Sequence, residues 1–219
     1  MIIIENVQFS YPGSNFNFSI NKLDIADGEK VAVTAPSGYG KTTFLNLISC
    51  ILTPKEGNII IEDEIVNNFN DSKKRAFRIS NIGFIFQDFE LIEYLDLKDN
   101  IALSYLINPA LKLNKDIEKK VIELAERFGL NDKLNRNVIK LSQGEKQRVA
   151  ICRAILSSPR ILLADEPTGN LDPENKENTV NELIEYSNNN NAILIMVTHD
   201  FSLLEKFDRT IDLGDFYAN

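Results

Sequence analysis

Lys41, Thr42 and Thr43 follow a loop of Pro36, Ser37, Gly38, Tyr39 and Gly40, and this grouping is where the chain most clearly offers chemistry. A glycine loop lets successive backbone N–H groups point inward at phosphate oxygens with no side chain in the way. Phe44, Leu45, Leu47 and Ile48 recur at helical spacing, so a helix begins at the lysine. Its first turn adds unpaired N–H groups and the positive end of the helix dipole. In such a loop Lys41 neutralises the β- and γ-phosphates of a nucleotide, and the Thr42 hydroxyl ligates Mg²⁺. The pattern G-x-x-x-x-G-K-[ST] meets one departure, Ala35 at the first glycine position. A methyl group is tolerated there as long as φ is negative.

A second group is Asp165-Glu166, closing the apolar run Ile161, Leu162, Leu163. A buried strand that ends in two acids places them at the carboxyl edge of a sheet, where the glycine loop also opens. Neighbouring strand residues point to opposite sides. Asp165 is therefore assigned to the metal and Glu166 to general-base work, which contributes ~10²–10⁴-fold in rate when the base is well positioned. His199, the only histidine, and Gln87 each stand just past a strand. His199 suits a cap or a satisfied core position as well as a hydrogen bond to a γ-phosphate. Gln87 has a neutral amide that can ligate Mg²⁺ or orient water. In LSQGEKQR, Leu141 to Arg148, Ser142 stands at a helix N-cap and Gly144 leaves room for a phosphate. A capping box of Ser142 and Glu145 alone is enough to explain that segment.

The elements that must position these groups alternate along the chain. Ile2 to Tyr11 reads as an edge strand with Val7, Phe9 and Tyr11 on one face, and Phe16 to Ile25 as a second strand. Val31 to Val33 is a buried strand before the glycine loop, and Gly57 to Val66 a hairpin turning at Glu62-Asp63-Glu64. Lys73, Lys74, Arg75 and Arg78 mark a solvated helix face, and Ile82 to Phe86 is a buried strand. From 88 to 158 the character is helical. Asn114 caps a helix carrying Ile117, Val121, Leu124, Ala125 and Phe128 on one face, and Gly129 ends it. Strands return at 161–163, 193–197 and 210–213, with a helix over 174–187, and the Asn run 188–191 reads as a loop. The sum is an α/β fold: a mainly parallel sheet, N-terminal antiparallel strands, and an inserted helical subdomain. One domain of 219 residues is expected, with a core of 1–87 and 159–219 and the insertion at 88–158.

Composition narrows the function. A net charge of -8 and a pI near 4.8 argue against nucleic-acid binding, which needs a basic face. No apolar run approaches the ~20 residues that span a bilayer, and the N-terminus lacks the basic region of a signal peptide. Cys50 and Cys152 lie in apolar patterns and read as small buried residues in a reducing compartment.

Taken in order, these motifs resemble the ATP-binding subunit of ABC transporters over nearly the whole chain. Ala35 to Thr43 is similar to Walker A, Gln87 to the Q-loop, and Leu141 to Glu145 to the signature. The Walker B strand is similar to Ile161–Leu163 with Asp165 and Glu166, the D-loop to Asn170, Leu171 and Asp172, and the switch histidine to His199. Ala35, and Gln143 and Glu145 within the signature, depart from the family pattern. The resemblance implies a P-loop NTPase core of the ABC ATPase type. It gives Tyr11 an adenine-stacking role, and makes Ser37, Gly38, Tyr39, Gly40, Lys41, Thr42, Thr43, Ser142, Gly144 and Asp172 nucleotide contacts. Thr42, Gln87 and Asp165 become Mg²⁺ ligands, and Glu166, His199, Lys41 and Gln87 the catalytic set.

The resemblance also implies a head-to-tail dimer of two copies enclosing two ATP molecules, each between one copy's Walker A and the other's signature. Integral membrane permease subunits would be the partners, with the chain in the cytoplasm against the cytoplasmic face of the inner (plasma) membrane. ADEPTGNLD is similar to the lipoprotein-releasing, macrolide-exporting and cell-division branch. An alternative is a low-turnover regulatory ATPase tethering a membrane complex, as in cell division. Non-transport relatives of DNA repair or translation carry tandem cassettes, long coiled coils or zinc cysteines, which this sequence lacks. Phe89, Leu91, Ile92 and Tyr94 follow Gln87; some pack inside the insertion, and the rest, Phe89 among them, are expected to line an exposed groove for a permease helix.

Overall fold

Two sheets form, and the sequence period separates them. The computed structural model describes residues 1–108, 111–169 and 171–216. In the antiparallel sheet, β1 (Ile2–Phe9) lies between β2 (Phe18–Ile25) and β4 (Glu56–Ile61), with the short β5 (Glu64–Ile65) outside. In the parallel sheet the order is β6 (Ile82–Ile85), β7 (Ile161–Asp165), β8 (Ile193–Val197), β3 (Lys30–Thr34), β9 (Arg209–Asp212). Its central strands are unbroken apolar runs because both faces are covered. Val31, Val33, Leu163, Ile195 and Val197 pack with α1 (Lys41–Ile48) and the antiparallel sheet. Ala32, Leu162, Ala164, Leu194 and Met196 face the other way.

That second face is shared with the helices. After α2 (Asp71–Asn81) and β6 come α3 (Leu97–Ile107), α4 (Lys115–Arg127) and α5 (Gln143–Ile155), then α6 (Pro173–Asn190) after β7. Ile101, Val121, Ala125, Val149 and Ile151 join the sheet residues in one continuous cluster. Asn114 caps α4 by accepting from the Ile117 amide, and Gly129 follows its end at φ 65°. The hairpin turns at Glu62 and Asp63, both left-handed. Both cysteines are free and buried.

Two readings of the sequence need correction. β1 is not an edge strand, since it pairs with β2 on one side and β4 on the other. Its alternation also breaks: Asn6 adopts φ 51° and the register shifts between Glu5 and Gln8, so Ile2, Ile4, Val7 and Phe9 all turn inward. The Asn run is not a loop. α6 continues through Asn190, whose side-chain Nδ2 donates to the Tyr186 carbonyl at 2.9 Å, and Asn191 ends it in the left-handed conformation at φ 49°. Asparagine is the residue other than glycine that most readily takes that cap.

β6 and α5 meet backbone to backbone at Gly83. A Cβ there would lie 2.4 Å from the Ala154 carbonyl oxygen and 2.7 Å from Leu162 Cδ2. Gly83→Ala is therefore expected to cost about 1–3 kcal/mol of stability, as overpacking does. Thermal unfolding checks it: a Tm within about one degree of wild type would show that α5 can move away from the sheet at no cost.

Candidate nucleotide-binding site

Four neighbouring strands of the parallel sheet deliver the chemistry to one edge. Thr34 ends β3 before the glycine loop, Asp165 ends β7, and His199 and Gln87 stand two residues past β8 and β6. Asp165 is in register with Val197, and Val197 with Val33, so these carboxyl ends lie level. In the loop, Gly38 and Gly40 take φ of 85° and 83°, a region that side-chain-bearing residues rarely adopt. Gly40 is the N-cap of α1 and offers no side chain to its amides, which leaves them for a ligand. Ala35 does not take a positive φ, so its methyl adds no backbone strain.

The side chains converge across the sheet. Thr42 Oγ1 donates to Asp165 Oδ2 at 2.8 Å. Lys41 Nζ donates to the Ala35 carbonyl at 2.9 Å and lies 3.6 Å from Glu166 Oε1. The other Glu166 oxygen lies 3.0 Å from His199 Nδ1. A carboxylate only accepts, so this contact puts the imidazole proton on Nδ1. Glu166 is not turned by strand alternation as the sequence suggested. β7 stops at Asp165, and Glu166 takes a left-handed φ of 45°, with its amide bonded to the Val197 carbonyl at 3.1 Å. Tyr11 reaches Thr43, hydroxyl to Oγ1, at 3.0 Å; its ring stands edge-on to Phe9 and 5.9 Å from Phe16.

Tyr11, Ser37, Gly38, Gly40, Lys41, Thr42, Thr43, Gln87 and Glu166 line one open cavity of about 440 Å³. Tyr39 belongs to the same loop, its amide bonded to the Pro36 carbonyl. Phe16 lines the cavity too, a contribution missed in the sequence although three aromatics at 9, 11 and 16 could have signalled it. The remaining candidates lie elsewhere. Ser142 caps α5, and Gly144 faces a separate cavity with Arg148, Leu171 and residues of α6. Asp172 caps α6, and hydrogen bonds from the Asn175 side chain and amide hold its carboxyl below the usual range. Asn170 falls outside the described residues.

The segment after Gln87 also differs from expectation. Phe89 is only 6% exposed and left-handed at φ 64°, so it belongs to the interior; Tyr94, at 85%, is the exposed member. Arg153 of α5 turns this segment inward by donating to the carbonyls of Phe89 and Glu90. Asp88, Phe89, Leu91 and Glu93 line a small cavity with Val138, Ile139, Gln143 and Lys146, and a more apolar groove lies between β6, α3 and α5, lined by Ile51, Phe84, Phe86, Leu103 and Ile107.

Burial raises the carboxyl pKa of Asp165, the hydrogen bond from Thr42 pulls it back, and the neighbouring Glu166 raises it again. The donors suit Mg²⁺: a carboxylate and a hydroxyl in contact, an amide in the same cavity, and room for phosphate oxygens, all hard ligands. Among the described residues no three acids, histidines or cysteines cluster as a self-sufficient metal cage.

Glycine loop, paired acids and parallel sheet together define a P-loop nucleotide-binding α/β protein with a helical insertion. The ABC transporter family profile matches residues 18–169, and the chain belongs to that family. Among curated relatives, the uncharacterized ABC transporter ATP-binding protein YvrO of Bacillus subtilis is 35% identical over 98% of this chain and 94% of its own length. A lipoprotein-releasing system ATP-binding protein, LolD 1, of Rhodopirellula baltica is 33% identical over the same shares. Among solved structures, the dimeric ATP-binding cassette MJ0796 bound to ADP and Pi superposes with a TM-score of 0.87 at 32% identity, covering 97% of this chain and 94% of that one. The cbiO1 protein of Clostridium perfringens, part of the ABC transporter complex cbiONQ, gives 0.84 at 25% identity over 96% and 83%.

A raised carboxyl pKa has a definite sign in stability. Asp165 opposes folding above its ordinary pKa, and the penalty fades as pH falls through the folded value. Asp165→Asn keeps an acceptor for Thr42 and removes the charge. It is expected to give the nucleotide-free protein a Tm at pH 8 at least as high as wild type, with the difference shrinking toward pH 4. A variant that melts well below wild type at pH 8 would show that the charge stabilises the fold.

Proposed function

We propose that this chain is the ATP-hydrolysing subunit of a membrane transporter. Two copies would close head to tail on ATP, and the closure would move permease subunits at the cytoplasmic face of the inner membrane. The observation that carries this is Glu166, which lines the cavity and is held between His199 at 3.0 Å and Lys41 at 3.6 Å. A module that only held ATP would need the loop but no carboxylate so placed. Relatives that include a LolD protein support the lipoprotein-releasing branch, with its relatives in macrolide export and cell division, as the subfamily. No helix among the described residues is long and apolar enough to cross a membrane.

In this reading the loop amides, the start of α1 and Lys41 bind the phosphates, exchanging the Ala35 carbonyl and Glu166 for γ-phosphate oxygens. Tyr11, steadied by Phe9, would stack on the base. Thr42, Asp165 and Gln87 would hold Mg²⁺, which supplies charge neutralisation at the β- and γ-phosphates. Glu166, released from Lys41, would take the proton of the attacking water. His199 would keep one ring nitrogen on that carboxylate and so fix its direction.

Glu166→Gln tests the chemistry. It should retain ATP binding, slow steady-state hydrolysis by about 10²-fold or more, and accumulate an ATP-bound dimer. Near-normal turnover in that variant would remove Glu166 from the role of base.

The groove between β6, α3 and α5 is the surface that fits a permease helix, since Ile107 and Ile51 are exposed beside its apolar floor. Ile107→Glu is expected to abolish co-purification with the membrane partner while ATPase activity of the isolated subunit stays within about twofold, because Ile107 is on the surface and does not line the nucleotide cavity. Phe89→Glu is no substitute, since that side chain is interior and the variant would report folding. Undiminished co-purification of Ile107→Glu would move docking to another face.

A further inference from the structure

Glu145 places an acid in the signature segment, where a partner's nucleotide phosphate would have to approach. The structure gives that acid two fixed attachments. Its Oε2 accepts from the Ser142 amide at 2.7 Å, while the Glu145 amide donates to Ser142 Oγ at 3.3 Å, a complete capping box. Its Oε1 lies 3.1 Å from Lys133 Nζ, and both side chains are largely covered, at 16% and 21% exposure. Lys133 comes from the turn after α4, so the contact crosses from one helix connection to the start of the next helix. Asp132 also lies near, 3.4 Å from the same ammonium, but at 72% exposure it is much the better screened. Hydrogen bonding in the box, chiefly from the Ser142 amide, holds the Glu145 carboxyl below its usual range, and the bond to Glu145 raises Lys133, so the pair is ionised at neutral pH.

We propose that Lys133 is a positioning residue of the signature segment: it cancels the Glu145 charge and fixes its carboxylate, so that Ser142 and Gly144 can face the γ-phosphate of a nucleotide bound by a second copy. The inference rests on the ATP-driven dimer proposed above. The segment itself supports it. A carboxylate at the third position of a helix opposes an incoming anion at the pole that would otherwise attract one. Glutamine at that position would cap equally well without a charge. With glutamate there, a cation is needed alongside it. Ser142 is exposed and Gly144 half-buried, both open to a partner, and a Cβ at Gly144 would meet only the Arg148 guanidinium at 3.6 Å.

The test uses the Glu166→Gln protein as parent, with Lys133→Met, Lys133→Arg, Glu145→Gln and the Lys133→Met/Glu145→Gln pair added. Dimer formation is followed by light scattering across an ATP titration, with Tm measured for each variant. Lys133→Met should raise the ATP concentration for half-dimerisation about tenfold, and Lys133→Arg should leave it near the parent. Glu145→Gln should do no worse than the parent, and the double variant should return to it, since no charge remains to be cancelled. A structural role alone would leave the double variant as impaired as Lys133→Met. That result, or parental behaviour of Lys133→Met, overturns the inference while leaving the dimer intact. A parent that forms no dimer at any ATP concentration overturns the proposed function, and this inference with it.

Discussion

Everything at this site depends on a parallel register that brings four strand ends level. Adjacent parallel strands run the same way, so whatever follows each one emerges on the same edge. β7, β8 and β3 are consecutive in the sheet, and they end on the acids, on His199 and on the glycine loop. β6 adds Gln87 from the outside. β8 lies between β3 and β7, and the Thr42–Asp165 hydrogen bond, between residues 123 apart in sequence, reaches across its end.

Holding that site together is costly. Asp165 is buried where its charge is disfavoured, and Glu166 occupies a left-handed conformation that costs a non-glycine residue of order 1–3 kcal/mol. The surrounding sheet supplies the offset. Leu162, Leu163 and Ala164 are fully buried and paired on both sides, so β7 cannot relax to relieve its end. The Glu166 amide is also tied to the Val197 carbonyl. The strain and the buried charge therefore stay at the sheet edge beside the glycine loop.

Sequence legibility divides along the same line. Groups whose role depends on a few adjacent residues could be read directly: the glycine loop, the capping box at Ser142, the Asn114 cap, the acids closing an apolar run. Features set by distant contacts could not. β1 looked like an edge strand because its second partner, β4, comes much later in the chain, and its bulge at Asn6 hid the inward turn of Ile2 and Ile4. Phe89 looked exposed because nothing local reveals that Arg153 holds its carbonyl. The Lys133–Glu145 pair is likewise invisible without the packing of α4 against α5. The Asn run was a different kind of error: composition suggested a loop, while the helix period continued through it to a residue suited to its cap.

α5 connects the two regions that a single chain keeps apart. Its first turn carries Ser142 and Gly144, outside the nucleotide cavity. Its last turns meet β6 at Gly83 and bind the segment after Gln87 through Arg153, whose guanidinium spans two successive carbonyls. Those carbonyls belong to Phe89 and Glu90, both left-handed at φ 64° and 48°. Two such residues in a row have little conformational freedom to spare, and a planar fork fixes both carbonyls at once. Gln87, two residues earlier, lines the cavity. Between Gln87 and α5 there is therefore a short, constrained stretch rather than a slack loop, fastened to the helix whose other end carries Ser142 and Gly144. Discrete contacts of this kind, not elastic deformation of the core, are how a packed protein carries a local event to a distant face.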